Sequence, residues 1–305
     1  MSRHPTRAAD APLCAHPAPA RPAASGAAPR PSAAPDPPVP AEGWRERLAL
    51  RVAGKGVLVT GAAGGIGAAL VRHLASLGAR VAALDRKPCL DLPAELCLEA
   101  DIADADAVAV AVARTTRAFG AIEALVNNAA VTDLRHHRVR DLPLATWDDV
   151  FRVNVRGSFV VTQAVLPHML LRRTGNIVFV TSSLGQPRGG IEGDAVYSAS
   201  KAAVEMLACV LAREVRGQGV NVNTVYPSVK VDTGFFAHLR EAERAELAPP
   251  TLLNEPTAFL VGLPAGSLSG TSLSQQAWDD EPGYAAALAA RAEATRPQAS
   301  AEVEP

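Results

Sequence analysis

Tyr197 and Lys201 stand four residues apart in Tyr197-Ser-Ala-Ser-Lys201, and a serine pair, Ser182-Ser183, precedes them. Side chains four apart on a helix share a face. A phenol ionises near pH ~10, so bringing it to about 7 takes roughly 4 kcal/mol of preferential stabilisation of the phenolate. An ammonium about 4 Å away supplies about that much at an effective dielectric near 20. The chemistry open to such a set is proton transfer at a hydroxyl or carbonyl oxygen, with a serine hydroxyl to hold that oxygen. A Tyr and a Lys at this spacing also occur on ordinary helices, so the elements around them must decide.

Those elements alternate. GVLVT (56–60) reads as a strand, followed by a glycine-rich turn and a helix over 65–77 with apolar residues at Ile66, Leu70, Leu74 and Leu77. Further strands are expected at 79–85, 96–101, 122–127, 176–182 and 219–227, and helices at 104–118 and 195–215. A long helical region over 146–171 is expected to break near Pro167. Near-continuous apolar strands imply a parallel sheet covered on both faces. Strands alternating with helices imply an α/β, doubly wound, Rossmann-type fold in a single domain.

The first turn reads Thr60-Gly61-Ala-Ala-Gly64-Gly65-Ile66-Gly67. Directly after a first strand and opening a helix, such glycines let the backbone approach a pyrophosphate, whose charge the helix N-terminus favours. A tight βα turn with no ligand is the plain alternative. The second strand ends at Asp85, eighteen residues past Gly67. A carboxylate there accepts hydrogen bonds from ribose hydroxyls and repels a 2′-phosphate, which favours NAD over NADP, although Arg86 follows at once.

With these motifs in order, the chain resembles the short-chain dehydrogenase/reductase family over roughly residues 50–275. The turn matches the family's T-G-x-x-x-G-I-G, and Asn127-Asn128-Ala129-Ala130 its N-N-A-G with Ala for the last Gly. Asn154 lies where the family keeps a helix-kinking asparagine, and Ser183 with Tyr197 and Lys201 matches its serine and Y-x-x-x-K. The resemblance implies that Thr60, Gly61, Gly65, Ile66 and Gly67 cradle NAD, that Asp101 and Ile102 hold the adenine, that Asn128 sits beside the adenosine ribose and that Pro227 borders the nicotinamide. It implies hydride transfer between NAD(H) and a secondary alcohol or ketone. Tyr197 would act as general acid/base, Lys201 would lower its pKa, Ser183 would hold the substrate oxygen, and Asn154 would hold a water leading to solvent. An NADP-linked carbonyl reductase is the alternative, and a non-catalytic NAD-binding protein a remoter one. Ser183 lies fourteen residues before Tyr197, one more than the family spacing, which implies one inserted residue in loop 186–193; Ser182 is its competitor.

Three departures concern the substrate side. Pro227-Ser228 replaces the family's Pro-Gly, the segment 233–270 is short, and the Asp-Gly-Gly expected after the last strand is absent near Gly270–Trp278. The cationic loop Arg135-His136-His137-Arg138 and Arg188 should lie near the substrate mouth, either as a solvated loop or as an anion pocket.

The formal net charge of −1 gives no electrostatic reason for a nucleic-acid partner. No C-x-x-C appears and no histidine has ligand-spaced partners, so no metal is expected. No run approaches the roughly 18 apolar residues of a membrane span. A cytoplasmic homodimer or homotetramer acting on a small-molecule alcohol or carbonyl compound follows as the expectation. Residues 1–43, dominated by Ala and Pro, read as disordered; 44–280 as the catalytic domain; 281–305 as a loose tail.

Overall fold

A computed structural model describes residues 44–187 and 189–295 of the chain. Seven strands, β1 (Gly56–Thr60), β2 (Arg80–Asp85), β3 (Leu96–Glu99), β4 (Ala124–Asn127), β5 (Gly175–Val180), β6 (Val220–Tyr226) and β7 (Ser272–Ser274), form one sheet in the order β3-β2-β1-β4-β5-β6-β7. Every neighbouring pair is parallel. The order reverses between β1 and β4, so a crevice opens beyond their carboxyl ends, where open α/β sheets bind ligands.

The helices are α1 (Trp44–Val52), α2 (Gly65–Ser76), α3 (Ala105–Phe119), α4 (Leu144–Phe151), α5 (Ser158–Arg172), α6 (Ala195–Glu214), α7 (Glu241–Arg244), α8 (Asn254–Val261), α9 (Gln275–Asp280) and α10 (Tyr284–Ala294). They cover both faces. Alternate strand residues point to opposite layers: Val57 and Val59 join Leu70, Leu74 and Leu260 on one face, and Leu58 joins Val112, Val161 and Val204 on the other. The central strands β1, β4, β5 and β6 are buried along their whole length, whereas edge strand β3 buries only Leu98. The doubly wound, single-domain expectation is met. Helix α6 is long and apolar enough to cross a membrane, with a mean hydropathy of 1.4, yet half of that stretch is buried inside the fold. Its apolarity serves the core.

Two expectations are corrected. The helical region after β4 does not break at Pro167, which lies inside α5. It loosens instead into a π-helical segment, Arg152–Gly157, centred on Asn154. The residues from 281 on are not simply a tail. Helix α10 packs Leu288, Ala289 and Ala292 into the same core as α8, and Arg51 of α1 meets Glu293 at 3.0 Å. The alanine-rich run hid this helix, because small residues give little apolar periodicity. Residues 1–43 and 296–305 lie outside the described residues. Leu288→Ala is therefore expected to lower stability by about 2–3 kcal/mol in urea unfolding; a tail trailing from the domain would leave the midpoint in place.

Candidate active site

A cleft of about 580 Å³ runs along the carboxyl ends of β1, β2 and β4, from the glycine turn to Tyr197 and Lys201. At one end the backbone is arranged for an anion. Gly61 and Gly65 take φ of 65° and 51°, in the left-handed region that favours glycine. A Cβ on Gly67 would lie 2.0 Å from the Gly61 carbonyl oxygen. No side chain caps α2 at Gly64, and no acid stands in its first turn. By contrast α3, which faces no such cleft end, is capped by Asp104, which accepts from the Asp106 and Ala107 N–H groups. The open N-terminus of α2 thus keeps its N–H donors for a ligand.

Thr60 and Asn128 hold this turn. The Thr60 hydroxyl accepts from the backbone N–H groups of Asn128 and Ala129 at 3.0 and 3.1 Å. The Asn128 amide donates to the carbonyls of Thr60 and Gly61 at 2.9 and 3.1 Å. Asn128 lines the cleft, but its amide group ties the turn together. Ile66 lines the cleft as well. Asp85, at the end of β2, accepts one backbone N–H on each oxygen, from Ala63 at 3.0 Å and Lys87 at 2.9 Å. Each oxygen keeps a lone pair for a ribose hydroxyl. Arg86 and Lys87 line the cleft beside it. Asp101 and buried Ile102 form the next wall. Burial works against the charge of Asp101, but the Ala103 N–H and the Arg152 guanidinium, at 2.7 Å, hold its carboxyl below the usual range.

At the other end, α6 presents Tyr197 and Lys201 on one face. The Lys201 ammonium, 4 % exposed, donates to the Val180 carbonyl at 2.8 Å and lies 5.7 Å from the centre of the Tyr197 ring. Burial lowers the Lys201 pKa to about 8, against a raising influence of Glu205. Burial also pushes the Tyr197 phenol up to about 12; a hydrogen bond from Ser182 lowers it and Asp194 raises it further.

The serine at Tyr197 is Ser182, not Ser183. Ser182 is extended at the start of a 3-10 turn (Ser183–Gly185), and its oxygen accepts from the Leu184 N–H at 3.2 Å. Its proton is left for the phenol oxygen. Ser183 belongs to the turn itself, and its N–H donates to the Pro227 carbonyl at 3.4 Å. Pro227 thus lies beside the turn, at the end of β6. A sequence signal existed in Gly185. Its hydrogen faces Lys201, and a Cβ there would lie 2.7 Å from that of Lys201. Counting back from this fixed contact, rather than from Tyr197, puts Ser182 opposite the phenol and both extra residues in the loop.

Asn154 is 1 % exposed and closes on two residues, Val131 and Ser200. Its oxygen accepts from the Val131 N–H at 2.8 Å, and its amide donates to the Val131 carbonyl and the Ser200 hydroxyl, each at 2.9 Å. The side chain ties the loop after β4 to α6, three residues from Tyr197. Ser228 is not among the residues of positive φ, so the missing glycine after Pro227 leaves no strain. The histidines do have acidic partners: His136 Nδ1 meets Asp194 and His137 Nδ1 meets Asp133, each at 2.8 Å, and Arg138 meets Glu192 at 2.6 Å. His136 and Arg138 fasten the loop to the residues just before α6, whereas His137 closes on Asp133 within its own loop. Arg188 lies outside the described residues.

Residues 55–244 match the model of the family described as short chain dehydrogenase. The chain belongs to the short-chain dehydrogenase/reductase family. It is 36 % identical over 209 residues to a 3-oxoacyl-[acyl-carrier-protein] reductase of Thermotoga maritima, covering 64 % of this chain and 81 % of that one. It is 38 % identical over 190 residues to D-threitol dehydrogenase of Mycolicibacterium smegmatis, covering 59 % and 72 %. A 3-ketoacyl-(acyl-carrier-protein) reductase of Brucella melitensis, solved with NADH, superposes with a TM-score of 0.66 at 26 % identity, covering 73 % and 97 %. The protein is an NAD(P)-dependent oxidoreductase of CH–OH groups. Gly67→Ala is expected to open the turn and to weaken NADH binding by about tenfold or more, since a backbone oxygen occupies the space of the added methyl. A fluorescence titration with NADH checks this.

Proposed function

We propose that the enzyme interconverts a secondary alcohol and a ketone with NAD(H), and that Tyr197 moves the hydroxyl proton. The observation that carries this reading is the convergence of Ser182, Tyr197 and Lys201 at the end of a cleft whose other end is an uncapped, glycine-rich helix N-terminus. NAD(H), when bound, supplies the hydride acceptor or donor. Thr60, Gly61, Gly65, Ile66, Gly67, Asp85, Asp101, Ile102, Asn128 and Pro227 would hold it, with Tyr197 and Lys201 at its reactive end.

In the oxidative direction the phenolate of Tyr197 accepts the hydroxyl proton, and NAD⁺, where held, would take up the hydride that leaves the carbinol carbon. In reduction the phenol returns the proton. Ser182 donates to the substrate oxygen and fixes it within about 3 Å of the phenol. Lys201 supplies positive charge beside the phenol, which favours the phenolate. Asn154 keeps the loop after β4 and α6 in register. Leu134, Val131 and Phe235 line the substrate end, which suits an apolar group next to the carbinol carbon.

Asp85 supports NAD as the cofactor. The NADP-linked reading rests on Arg86 and Lys87, which line the cleft and could meet a 2′-phosphate. Asp85→Asn removes the repelling charge while keeping an acceptor. If NAD is preferred, the ratio of kcat/KM for NAD over NADP falls by about tenfold; an unchanged ratio removes Asp85 from selection.

An absorbance screen at 340 nm with NAD⁺ against hydroxysteroids, polyols, sugar acids and small secondary alcohols identifies the substrate class. On the best alcohol, Tyr197→Phe should bind NADH normally and lose turnover by about 10²–10⁴. Ser182→Ala should lose about 10²-fold, and Ser183→Ala should stay within about threefold of wild type. Equal losses for the two serines would sink the assignment of Ser182.

A further inference from the structure

Beyond Tyr197 and Lys201, the same face of α6 carries a third ionisable group at the next turn. Glu205 is 6 % exposed. Its carboxylate accepts from the Thr181 hydroxyl, from Gln186 Nε2 at 2.7 Å and from the Thr224 hydroxyl at 3.0 Å, and Ser272 Oγ lies 3.4 Å from both its oxygens. Thr181 follows the last residue of β5, Thr224 lies in β6 and Ser272 opens β7. One carboxylate thus gathers residues from β6 and β7, the residue after β5 and the loop beyond the serine turn.

Three consecutive residues leaving β5 are each held by this one helix face. Val180 offers its carbonyl to Lys201, Thr181 its hydroxyl to Glu205, and Ser182 its hydroxyl to Tyr197. We propose that Glu205 is a positioning residue of the proton-transfer centre: it pins Thr181, and so Ser182, to the helix bearing Tyr197 and Lys201, and its charge balances the Lys201 ammonium. This inference rests on the function proposed above.

A purely structural role explains it less well. The surrounding donors are neutral hydroxyls and an amide, which a neutral acceptor would also satisfy. An unmatched buried charge costs several kcal/mol. Lys201 is itself buried and donates to a neutral carbonyl. Burial raises the Glu205 pKa, its hydroxyl and amide donors hold it down, and its charge acts on Lys201 from one turn away. Tyr197 and Glu205 face Lys201 from its own helix. From the other elements it meets the Val180 carbonyl of β5 and the backbone of Gly185, while Asp194 acts on Tyr197 from the start of α6.

The sign of the effect follows. The Lys201 charge is lost as pH rises through its pKa, which burial lowers to about 8 and Glu205 holds up. Removing the Glu205 charge should bring that loss to lower pH, by about one to two units. The test uses the full chain with ε-¹³C-lysine, whose four lysines (Lys55, Lys87, Lys201, Lys230) are assigned by a Lys201→Arg variant. In Glu205→Gln, the Lys201 signal should titrate at least one unit lower. NADH affinity should hold, and kcat on the best alcohol of the 340 nm screen should fall about tenfold with little change in KM. Thr181→Val leaves the Glu205 charge in place. It should keep the Lys201 titration and still lower kcat. A Lys201 titration unchanged in Glu205→Gln, or a kcat unchanged in Thr181→Val, overturns the proposal. So does a loss of kcat that only tracks a falling Tm. If Glu205→Gln does not fold, Thr181→Val decides. The lysine titration needs no turnover, so it stands even where Tyr197→Phe proves as active as wild type, the result that would sink the proposed function alone.

Discussion

The end of strand β5 is held by one face of helix α6, and the site follows from that grip. Strand β5 lies between β4 and β6 and is buried along its length, so its end cannot shift without disturbing the core. Helix α6 runs for 20 residues and packs Val204, Ala208, Leu211 and Ala212 onto the same sheet. Two rigid elements therefore meet at Val180–Ser182. Gly185 lets the turn after them lie directly on the helix at Lys201, where a side chain would collide. A serine placed this way is set by packing rather than by its own rotamer, which is what a group that must meet a phenol within hydrogen-bond distance requires.

The fold solves a related problem beyond β6. Residues 262–271 form no helix or strand, yet Leu263 and Leu268 are buried, and buried backbone must find partners. Strand asparagines supply them. Asn176 donates to the carbonyls of Val261 and Leu263, Asn221 to that of Pro264 and Asn223 to that of Leu268, while the Asn223 oxygen accepts from the Thr271 N–H. Polar residues in central strands look out of place in a sequence. Here they give partners to the backbone of an irregular segment that leads into β7, while Asn221 Oδ1 itself accepts no hydrogen bond among the described residues.

The sheet, the glycine turn and the Tyr197/Lys201 pair were readable because each rests on a local pattern: strand periodicity, a run of glycines at a strand–helix turn, and helix spacing. What escaped rests on contacts across the fold. Ser182 and Ser183 are adjacent and chemically alike; only the contact of Gly185 with Lys201 separates them. Glu205 sits among apolar residues of α6, and nothing local tells a buried acid from a solvated one. The loosened helix at Asn154 was legible only through the family resemblance, not from local periodicity, because its side chain is claimed by Val131 of another element. The cations near His136 read as free charge, since their acidic partners Asp194 and Glu192 lie more than fifty residues on.

The shortened segment after β6 still reaches across the cleft. A single bridge between Val231 and Ala248 closes its base. Beyond it, Thr233 stands against Gly65, where an added Cβ would meet its methyl at 3.0 Å, and Phe235 meets the Tyr197 ring edge-on at 6.0 Å. The two contacts fall at the phosphate turn and at the phenol, the opposite ends of the cleft. A segment this short can touch both because they lie close together across the switch point between β1 and β4. Anything that binds between them must therefore lift the segment or slide beneath it, and Phe235 is the side chain it meets at the reacting end. The segment's length thus matters less than where its two contacts fall, with an apolar ring set edge-on to Tyr197 at one of them.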